Sequence, residues 1–389
     1  MKSLVSVAVA LALSTPALSV SVWGQCGGLE YSGSAACDAG AACVTLNEHY
    51  SQCQPSSPST PSSPSTTRSA PSSADSVCSG SRTKFAYFGV NESGAEFGNT
   101  VIPGTLGTDY TWPSPSSVDY FISAGFNTFR IPFLMERLSP PATGLTGSFD
   151  STYLSGLKTI VNYITGKGGF ALVDPHNFMI YNGAAISSTS AFQTWWTNLS
   201  NEFKSNDHVI FDLMNEPHDI PASTVFNLMQ AAVNGVRSTG AGNLILVEGT
   251  SWTGAWTWTT SGNSDVFGAI HDPLNNTAIE MHQYLDSDGS GTSATCVSST
   301  IGAERLAAAT SWLQANNLKG FLGEIGAGSN ADCISAVQGA LCSMQQSGVW
   351  LGALWWAAGP WWGDYYQSIE PPSGAAIAQI LPQALEPFL

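Results

Sequence analysis

The sequence predicts an α/β fold, a (β/α)8 TIM barrel that follows a small disulfide-stapled unit. Three observations predict it. Eight short apolar segments recur along the larger part of the chain, and amphipathic stretches separate most of them. A segment rich in Ser, Thr and Pro divides that part from a short region with four cysteines. Apolar residues make up 43 % of the 389-residue chain, enough to bury a large core.

The first 19 residues have the pattern of a secretory signal peptide. Lys2 gives the positive start, an apolar run extends from Leu4 to about Leu13, and small residues stand at an A-x-S cleavage site. No later stretch is apolar for long enough to cross a bilayer. We therefore expect residues 1–19 to be a signal peptide and the protein to be secreted and extracellular, with no membrane partner.

The charge balance limits the possible binding partners, and the cysteines indicate disulfides. The chain carries 28 acidic and 12 basic residues, a formal net charge of −16, which argues against nucleic acid and anionic membrane surfaces as partners. Eight cysteines, an even number, indicate disulfides in an exported protein. Four of them crowd into residues 20–54 without the paired C-x-x-C spacing of a zinc site. Low charge and many aromatic residues suit a neutral polymer, and we expect a monomer.

Residues 55–77 are predicted to be a linker. Between residues 55 and 74, all but three positions are Ser, Thr or Pro, so this stretch cannot bury a core. In a secreted protein such a segment is typically O-glycosylated. It separates a unit at residues 20–54 from a larger unit at residues 78–389.

The unit at residues 20–54 resembles the fungal family 1 cellulose-binding modules, small β domains. The stretches WGQCGG, YSG, TLN and YSQC carry the resemblance. It implies the disulfides Cys26–Cys43 and Cys37–Cys53. It also implies a flat sugar-stacking face, formed by Trp23, His49 and Tyr50 with help from Asn47 and Gln52. His49 departs from the family pattern of Tyr or Trp, so we expect weaker, pH-dependent binding. The alternative is that these rings form the core of the unit.

The unit at residues 78–389 contains eight predicted strands. They are Phe85–Val90, Thr128–Pro132, Phe170–Asp174, Val209–Met214, Leu244–Glu248, Ala278–His282, Gly320–Gly323 and Gly352–Trp356. Helices are predicted at about 115–124, 151–166, 189–204, 222–239, 301–317, 331–347 and 374–386. The fifth connection, after Glu248, has an irregular pattern. A doubly wound sheet is the alternative, but no glycine-rich phosphate loop follows the first strand.

Polar residues near the ends of the apolar segments are the candidate site, because barrel active sites lie at the carboxyl ends of the strands. Asn215 and Glu216 follow the fourth strand and Glu324 follows the seventh. The other candidates are Arg130, His176, His282, Tyr284, Trp355 and Trp356. Two glutamates on different strands predict glycoside hydrolysis with a carboxyl pair. A structural ion pair is the alternative interpretation.

The larger unit resembles glycoside hydrolase family 5, and is most similar to fungal endo-β-1,4-glucanases. The stretches NEPHD, HQYLDSDGSGT, GEIG and WWAAGPWWGDY carry the resemblance. It implies that Glu216 is the general acid/base and Glu324 the nucleophile of a retaining double displacement. It further implies that Arg130 and Tyr284 bond Glu324, and that His282 lies near Glu216 and adjusts the affinity of Glu216 for its proton. Asn215 is expected to bond the 2-hydroxyl of the sugar in the −1 subsite. His176 is expected to bond the same sugar, and Trp356 to form the hydrophobic surface beneath it. Trp361 and Trp362 are expected to line sugar subsites.

Cellulose and soluble β-1,4-glucans are the expected substrates, with no cofactor and no metal. An endo-β-mannanase and a non-catalytic wall-binding protein are the alternatives. His176 and His282 could instead be core or metal-ligating residues, and Asp286 and Asp288 could hold a loop or a calcium ion.

Two disulfides and three glycosylation sequons complete the expectations for this unit. Related fungal enzymes have a disulfide where Cys296 and Cys333 stand, which leaves Cys78 with Cys342. Sequons begin at Asn91, Asn198 and Asn275. We expect Asn91 in the cleft and unmodified, because it follows the first predicted strand.

Overall fold

The computed structural model describes residues 19–20, 25–27, 31, 33–47, 50–55 and 77–389. The chain divides into two compact units, Met1–Ser69 and Ala70–Leu389. The boundary between them falls inside the segment that the sequence predicts to be a linker. The predicted signal peptide lies outside the described residues except for Ser19. No helix in the described part of the chain is both long and apolar enough to span a membrane.

The smaller unit contains a three-stranded antiparallel sheet. Its strands are β1 (Gln25–Gly27), β2 (Ala41–Asn47) and β3 (Tyr50–Pro55), in the order β1-β3-β2. The disulfides Cys26–Cys43 and Cys37–Cys53 cross-link it, the pairing that the family resemblance implies. A unit this small lacks the volume for a large apolar core, so these cross-links supply much of its stability. Trp23 and His49 lie outside the described residues, as do the side chains of Asn47, Tyr50 and Gln52.

The larger unit is a closed barrel of eight parallel strands. They are β4 (Tyr87–Glu92), β5 (Thr128–Phe133), β6 (Phe170–Pro175), β9 (Val209–Asp212), β10 (Ile245–Glu248), β11 (Thr277–Tyr284), β12 (Gly320–Gly326) and β13 (Trp350–Ala358). Each pairs with its neighbours in chain order, and β13 closes the barrel against β4. A short hairpin, β7 (Ile180–Tyr181) and β8 (Ala184–Ala185), follows β6. The predicted (β/α)8 barrel is confirmed.

Helices cover the outside of the barrel. They are α1 (Pro115–Ala124), α2 (Met135–Leu138), α3 (Ser151–Gly166), α4 (Thr189–Phe203), α5 (Ala222–Ser238), α6 (Asn263–Val266), α7 (Ile301–Ala315), α8 (Ala331–Ser347) and α9 (Ile377–Ile380). Polar residues start several of them: the side chains of Ser114, Asp150, Ser188 and Asn330 each accept a backbone N–H of the first turn. The fifth connection is irregular as predicted, with turns and the short α6.

Several sequence-based boundaries differ from the structure. The last predicted helix, 374–386, is only one turn of α-helix, and its continuation is a π-type turn over Leu381–Leu385. Pro382 has no N–H to donate, so the regular α pattern cannot continue through it. The first, sixth, seventh and eighth strands extend two or three residues beyond their predicted ends. Glu324 therefore lies inside β12, paired in register with His282 of β11.

Two disulfides tie the larger unit together. Cys78 is bonded to Cys342, 264 residues away, which fixes the start of this unit to α8. Cys296 is bonded to Cys333. Both pairs are the expected ones.

Candidate active site

Charged side chains occupy the barrel interior above an apolar layer. In β6, Leu172 lies in the apolar interior cluster, and Asp174 lies two residues further along the same strand. In β10, Leu246 and Glu248 repeat this arrangement. Alternate residues of a strand face the same side, so these carboxylates point into the barrel toward its carboxyl end. Asp212, Glu280 and His282 follow the same two-residue spacing from Ile210 and Ala278.

Arg130, buried in β5, lies among five carboxylates. Its guanidinium nitrogens lie 2.7 Å from Asp212, 2.8 Å from Glu324, 3.1 Å from Asp174, 3.4 Å from Glu248 and 3.6 Å from Glu280. Burial alone lowers the pKa of Arg130, but the carboxylates, Asp174 and Asp212 foremost, raise it well above its usual value. The guanidinium therefore stays charged and provides the positive centre of the interior.

Glu324 is held by two donors. Nη1 of Arg130 donates to one carboxylate oxygen at 2.8 Å, and the hydroxyl of Tyr284 donates to the other at 2.5 Å. Burial raises the pKa of Glu324. The electrostatic effects of Arg130 and His176 and the hydrogen bond from Tyr284 oppose that shift. Both oxygens are thus fixed in direction, and three neighbours favour the ionised form.

Glu216 lies in the turn after β9, where its backbone adopts a φ of +44°. Its N–H donates to Oε2 of Glu248 at 2.6 Å, a bond that stabilises this left-handed conformation. Oε1 of its side chain lies 2.8 Å from Nδ1 of His282. Burial, followed by the charge of Glu324, raises the pKa of Glu216 well above its usual value. The pKa of Glu216 is raised more strongly than that of Glu324, a direction that favours the proton of the pair on Glu216.

The two glutamates are close neighbours. Carboxylate oxygens of Glu216 and Glu324 and a ring nitrogen of His282 all lie within 4.8 Å of one another. Burial lowers the pKa of His282 well below its usual value, so the ring is neutral. This trio could in geometry hold a metal ion, and so could Glu248, Glu280 and His282 deeper in the barrel. The first trio is the carboxyl pair itself, whose oxygens already bond Arg130, Tyr284 and His282.

A cleft of about 940 Å³ opens above the glutamates. His176, Trp356 and Trp362 lie on one part of its lining, and Trp252 and Trp256 on another. The His176 ring stacks on Trp356 at 5.4 Å between centroids, and its Nδ1 lies 2.8 Å from Asp174. Trp355, by contrast, is buried in the core. The structure thus places Trp356, and not its neighbour, at the cleft.

Other aromatic residues divide between cleft and core. Trp252 and Trp256 are 51 % and 47 % exposed, although both line the cleft. Trp195, Trp196 and Trp258 are fully buried and pack in the hydrophobic core. Trp361 is 40 % exposed and is not among the residues that line this cavity. It follows the end of β13 at Ala358, and a contact with sugar at this position stays a prediction.

Asp286 fastens the loop after β11. Its carboxylate accepts the N–H groups of Gly291, Thr292 and Ser293 at 3.0 to 3.1 Å. Asp288 accepts from Ser290 at the same turn. Of the two functions left open by the sequence, holding the loop is the one that these contacts support, because the N–H donors occupy the oxygens that a cation would need.

Asn91 lies inside β4, not after it, and this changes its expected surroundings. Its side chain is fully buried and donates to the carbonyls of Gly323 and Trp355. Its oxygen accepts from Arg130 at 3.1 Å. The expectation of a place in the cleft is wrong, because the first strand extends to Glu92. Of the other two sequons, Asn275 is exposed and Asn198 is half-buried in α4.

Four carboxylates beneath the glutamates are not among the site residues that the sequence predicts. Asp174, Asp212, Glu248 and Glu280 surround Arg130 and are all fully buried. A signal was present, since each stands two residues after an apolar residue of the barrel interior within its strand. Asp174 and Glu248 end their predicted strands, whereas Asp212 and Glu280 lie inside theirs, where polar residues at strand ends give no signal.

Buried carboxylates make the stability of the barrel fall as pH rises. Burial raises the pKa of Asp174 from 3.8 to about 7 and that of Asp212 from 3.8 to about 6. A raised folded-state pKa contributes stability that is present at low pH and lost as pH rises through that pKa. We expect the free energy of unfolding, measured by urea titration, to decline as pH rises from about 4 to about 8, by at most about 1.4 kcal/mol per pH unit for each proton released.

The variant Asp174→Asn tests this expectation, because an amide keeps the shape of the protonated carboxyl and cannot ionise. We expect a flatter dependence of unfolding free energy on pH for this variant. Asp119→Asn is the matched control: Lys167 lowers the pKa of the exposed Asp119, so its carboxylate is ionised throughout this pH range. Stability that rises with pH, or equal slopes for Asp174→Asn and the wild type, would contradict the interpretation.

A (β/α)8 barrel with a close, unequal glutamate pair beneath an aromatic cleft defines a glycoside hydrolase. Residues 90–360 match the family Cellulase (glycosyl hydrolase family 5), and the chain belongs to it. Residues 22–50 match the fungal cellulose binding domain. The identification by sequence resemblance is confirmed for both units.

Named relatives agree with this assignment. The chain is 48 % identical to Endoglucanase 3 of Humicola insolens over 362 residues, which cover 90 % of this chain and 91 % of the relative. It is 54 % identical to Endo-beta-1,4-glucanase B of Aspergillus niger over 306 residues, 78 % of this chain and 91 % of the relative. The crystal structure of the endo-beta-1,4-glucanase Xac0029 from Xanthomonas axonopodis pv. citri superposes with a TM-score of 0.74 at 41 % identity, covering 78 % of this chain and 99 % of that one.

Proposed function

We propose that this protein is a secreted endo-β-1,4-glucanase that hydrolyses internal bonds of cellulose with retention of anomeric configuration. The proximity of Glu216 and Glu324 carries the proposal, since a carboxylate oxygen of one lies within 4.8 Å of a carboxylate oxygen of the other. Retaining glycosidases hold their carboxyl groups about 5–5.5 Å apart, whereas inverting enzymes need roughly 6.5–9.5 Å to admit a water molecule. Carboxyl groups this close favour direct attack of one of them on the sugar, without a water molecule between them.

The proposed reaction has two displacements. Glu324 attacks the anomeric carbon while Glu216 gives its proton to the departing glycosidic oxygen, and a glycosyl ester forms on Glu324. Glu216, now ionised, takes a proton from a water molecule whose oxygen attacks the same carbon. Glu324 leaves as a carboxylate, and Glu216 regains its proton. Two inversions return the original configuration.

The surrounding residues support the proposed roles. Arg130 and Tyr284 both donate to Glu324 and keep its oxygens aimed. The oxygen of Asn215 accepts from Arg130 at 2.9 Å, which leaves its Nδ2 without a partner among the described residues. A sugar 2-hydroxyl would provide that partner. Trp356 and His176 form a stacked pair at the cleft, suited to the −1 sugar.

In this proposal His282 stays hydrogen-bonded to Glu216 whether Glu216 is protonated or ionised. Its ring is neutral and lies 2.8 Å from the glutamate. A neutral imidazole can donate to an ionised carboxylate or accept from a protonated one, depending on its tautomer. Glu216 thus keeps a hydrogen-bond partner in both steps.

The named relatives favour glucan over mannan as the substrate, since both curated relatives carry a glucanase name. Flat aromatic rings along the cleft suit the apolar faces of glucose units. We further propose the division into signal peptide (1–19), cellulose-binding module (20–54), linker (55–77) and catalytic unit (78–389). The module would hold the catalytic unit at a cellulose surface, and the exposed Trp361 would contact a sugar of a longer chain.

A product profile tests the substrate and the stereochemistry together. We expect new reducing ends from carboxymethyl cellulose and mixed-linkage glucan, little release from galactomannan, and β-configured ends as the first product seen by NMR. The α anomer as first product would contradict the double displacement. Faster hydrolysis of galactomannan than of carboxymethyl cellulose would replace the glucanase by the mannanase alternative.

A further inference from the structure

Arg305 connects the cleft wall to the support of the nucleophile, although it stands on the outer helix α7. The residue is only 3 % exposed. Its Nη1 donates to the carbonyl of Tyr284 at 2.6 Å, and its Nη2 donates to the carbonyl of Ser287 at 3.2 Å. Its guanidinium carbon lies 4.3 Å from the centre of the Trp256 ring. One side chain thus contacts both Tyr284, which bonds Glu324, and an exposed aromatic residue of the cleft.

Gln283 strengthens this connection from a second direction. Its Nε2 donates to the same Tyr284 carbonyl at 2.7 Å, and its Oε1 accepts the N–H of Trp256 at 2.8 Å. The ring of Trp256 is therefore set by Arg305 and its backbone by Gln283. Because Gln283 and Tyr284 are adjacent in β11, any shift of Trp256 is resisted by the strand that carries the partner of the nucleophile.

The loop after β11 closes over this cluster and supplies its negative charges. A Cβ on Gly289 would lie 3.6 Å from both Arg305 and Trp256. Asp286 and Asp288 of this loop face Arg305 and raise its pKa, against the lowering by burial. Arg305 therefore has the carboxylates of Asp286 and Asp288 as counter-charges, while its guanidinium lies over the indole of Trp256. A desolvated guanidinium over an indole is the stronger form of a cation–π contact.

The position of Trp256 in the fold indicates which part of the substrate it faces. It belongs to the loop after β10, and β10 lies across the closed barrel from β4 and β13, which carry the Trp356 side. If Trp356 is the floor of the −1 sugar, as the proposed function requires, Trp256 faces a sugar of the leaving group. Such a ring must keep its plane to stack on a pyranose face, because a tilt removes most of the contact.

We propose that Arg305 is a positioning residue that holds Trp256 as a stacking face for a leaving-group sugar, anchored on the main-chain carbonyl of Tyr284. This inference rests on the proposed function. Arg305 touches neither the substrate nor the reacting atoms. Its effect is confined to substrates whose leaving group reaches Trp256.

The experiment compares Arg305→Met, Trp256→Ala and the double variant on two substrates in the full-length protein. Cellopentaose offers a sugar leaving group, and a nitrophenyl cellobioside does not. We expect Arg305→Met to lower kcat/KM on cellopentaose about fivefold, chiefly through KM, with a change below about twofold on the cellobioside. In the Trp256→Ala background the same substitution should change kcat/KM on cellopentaose by less than about twofold, since the ring it positions is gone.

Arg305→Lys and Arg237→Met are the matched controls. Lysine keeps the charge but not the planar fork, so we expect only partial rescue. Arg237 also donates to main-chain carbonyls, at Ala241, Asn243 and Asn276, but the cleft lining does not include it. Arg237→Met should lower the melting temperature without changing the ratio between the two substrates. If Arg305→Met fails to fold, the same two ratios measured on Arg305→Lys decide.

Two results would overturn the inference. One is an equal loss on both substrates for Arg305→Met or Arg305→Lys, and the other is an undiminished loss in the Trp256→Ala background. Either would leave Arg305 with a purely structural role. Failure of the wild-type protein to cleave cellopentaose and the cellobioside would instead refute the proposed function, and is distinguishable because no variant is needed to see it.

Discussion

Replacement of Glu324 by glutamine should reduce kcat on carboxymethyl cellulose about a thousandfold or more, the largest loss expected for any single substitution in this protein. The amide has nearly the same shape, and Arg130 and Tyr284 can still contact it. It cannot, however, attack the anomeric carbon as an anion. The loss should therefore appear in kcat, with little change in the melting temperature. Reducing-end assays and a thermal scan on the same preparation check both expectations.

Azide distinguishes a nucleophile from a structural carboxylate. In Glu324→Ala, azide can occupy the vacated space and attack the sugar from the same face, so an activated glycoside should give the α-glycosyl azide. In Glu216→Ala, azide should attack the ester on Glu324 and give the β-glycosyl azide. Glu304→Gln, an exposed glutamate of α7, is the control and should keep wild-type activity. Full activity of Glu324→Gln would refute the mechanism outright.

Motifs at strand ends made Glu216 and Glu324 predictable from the sequence. The buried carboxylates of the barrel interior beneath them were harder to predict. Glu216 and Glu324 stand in short polar stretches after apolar runs, which is how a barrel active site reads in sequence. Asp212, by contrast, stands within the predicted strand Val209–Met214, whose other residues are all apolar. A charged residue there looks like an outward-facing position until the closed barrel shows which alternate residues face inward.

Strand lengths were underestimated for a related reason. Residues such as His282 and Trp356 are polar or bulky, so the apolar pattern that defines a strand fades at them. Ladder hydrogen bonding does not depend on that pattern, and β11 and β12 remain paired from Ile279 to Tyr284, with one register shift between Met281 and His282. The same reason accounts for Asn91, which was placed in the cleft but lies in β4. Contacts between distant residues, such as Arg305 with Trp256, have no sequence pattern that would predict them.

Replacement of Arg130 by methionine should lower the free energy of unfolding of the larger unit by about 3–5 kcal/mol near neutral pH. The five carboxylates around it would lose the charge that now compensates them. Folding could then proceed only with more of them protonated, so their folded-state pKa values would rise further. A raised carboxyl pKa costs stability as pH increases, and the loss should therefore be larger at about pH 7 than at about pH 4.

Urea unfolding of Arg130→Met, Arg130→Lys and Lys158→Met at both pH values measures this effect. Lys158 pairs with Glu202 at the surface, and its removal should cost no more than about 1 kcal/mol at either pH. Arg130→Lys keeps the charge but reaches fewer of the carboxylates, so it should fall between Arg130→Met and the wild type. Equal losses for Arg130→Met at the two pH values would mean that packing, and not charge, makes Arg130 necessary. A larger loss at the lower pH would contradict the assignment of protons to the buried carboxylates, because protonated carboxyls need no counter-charge.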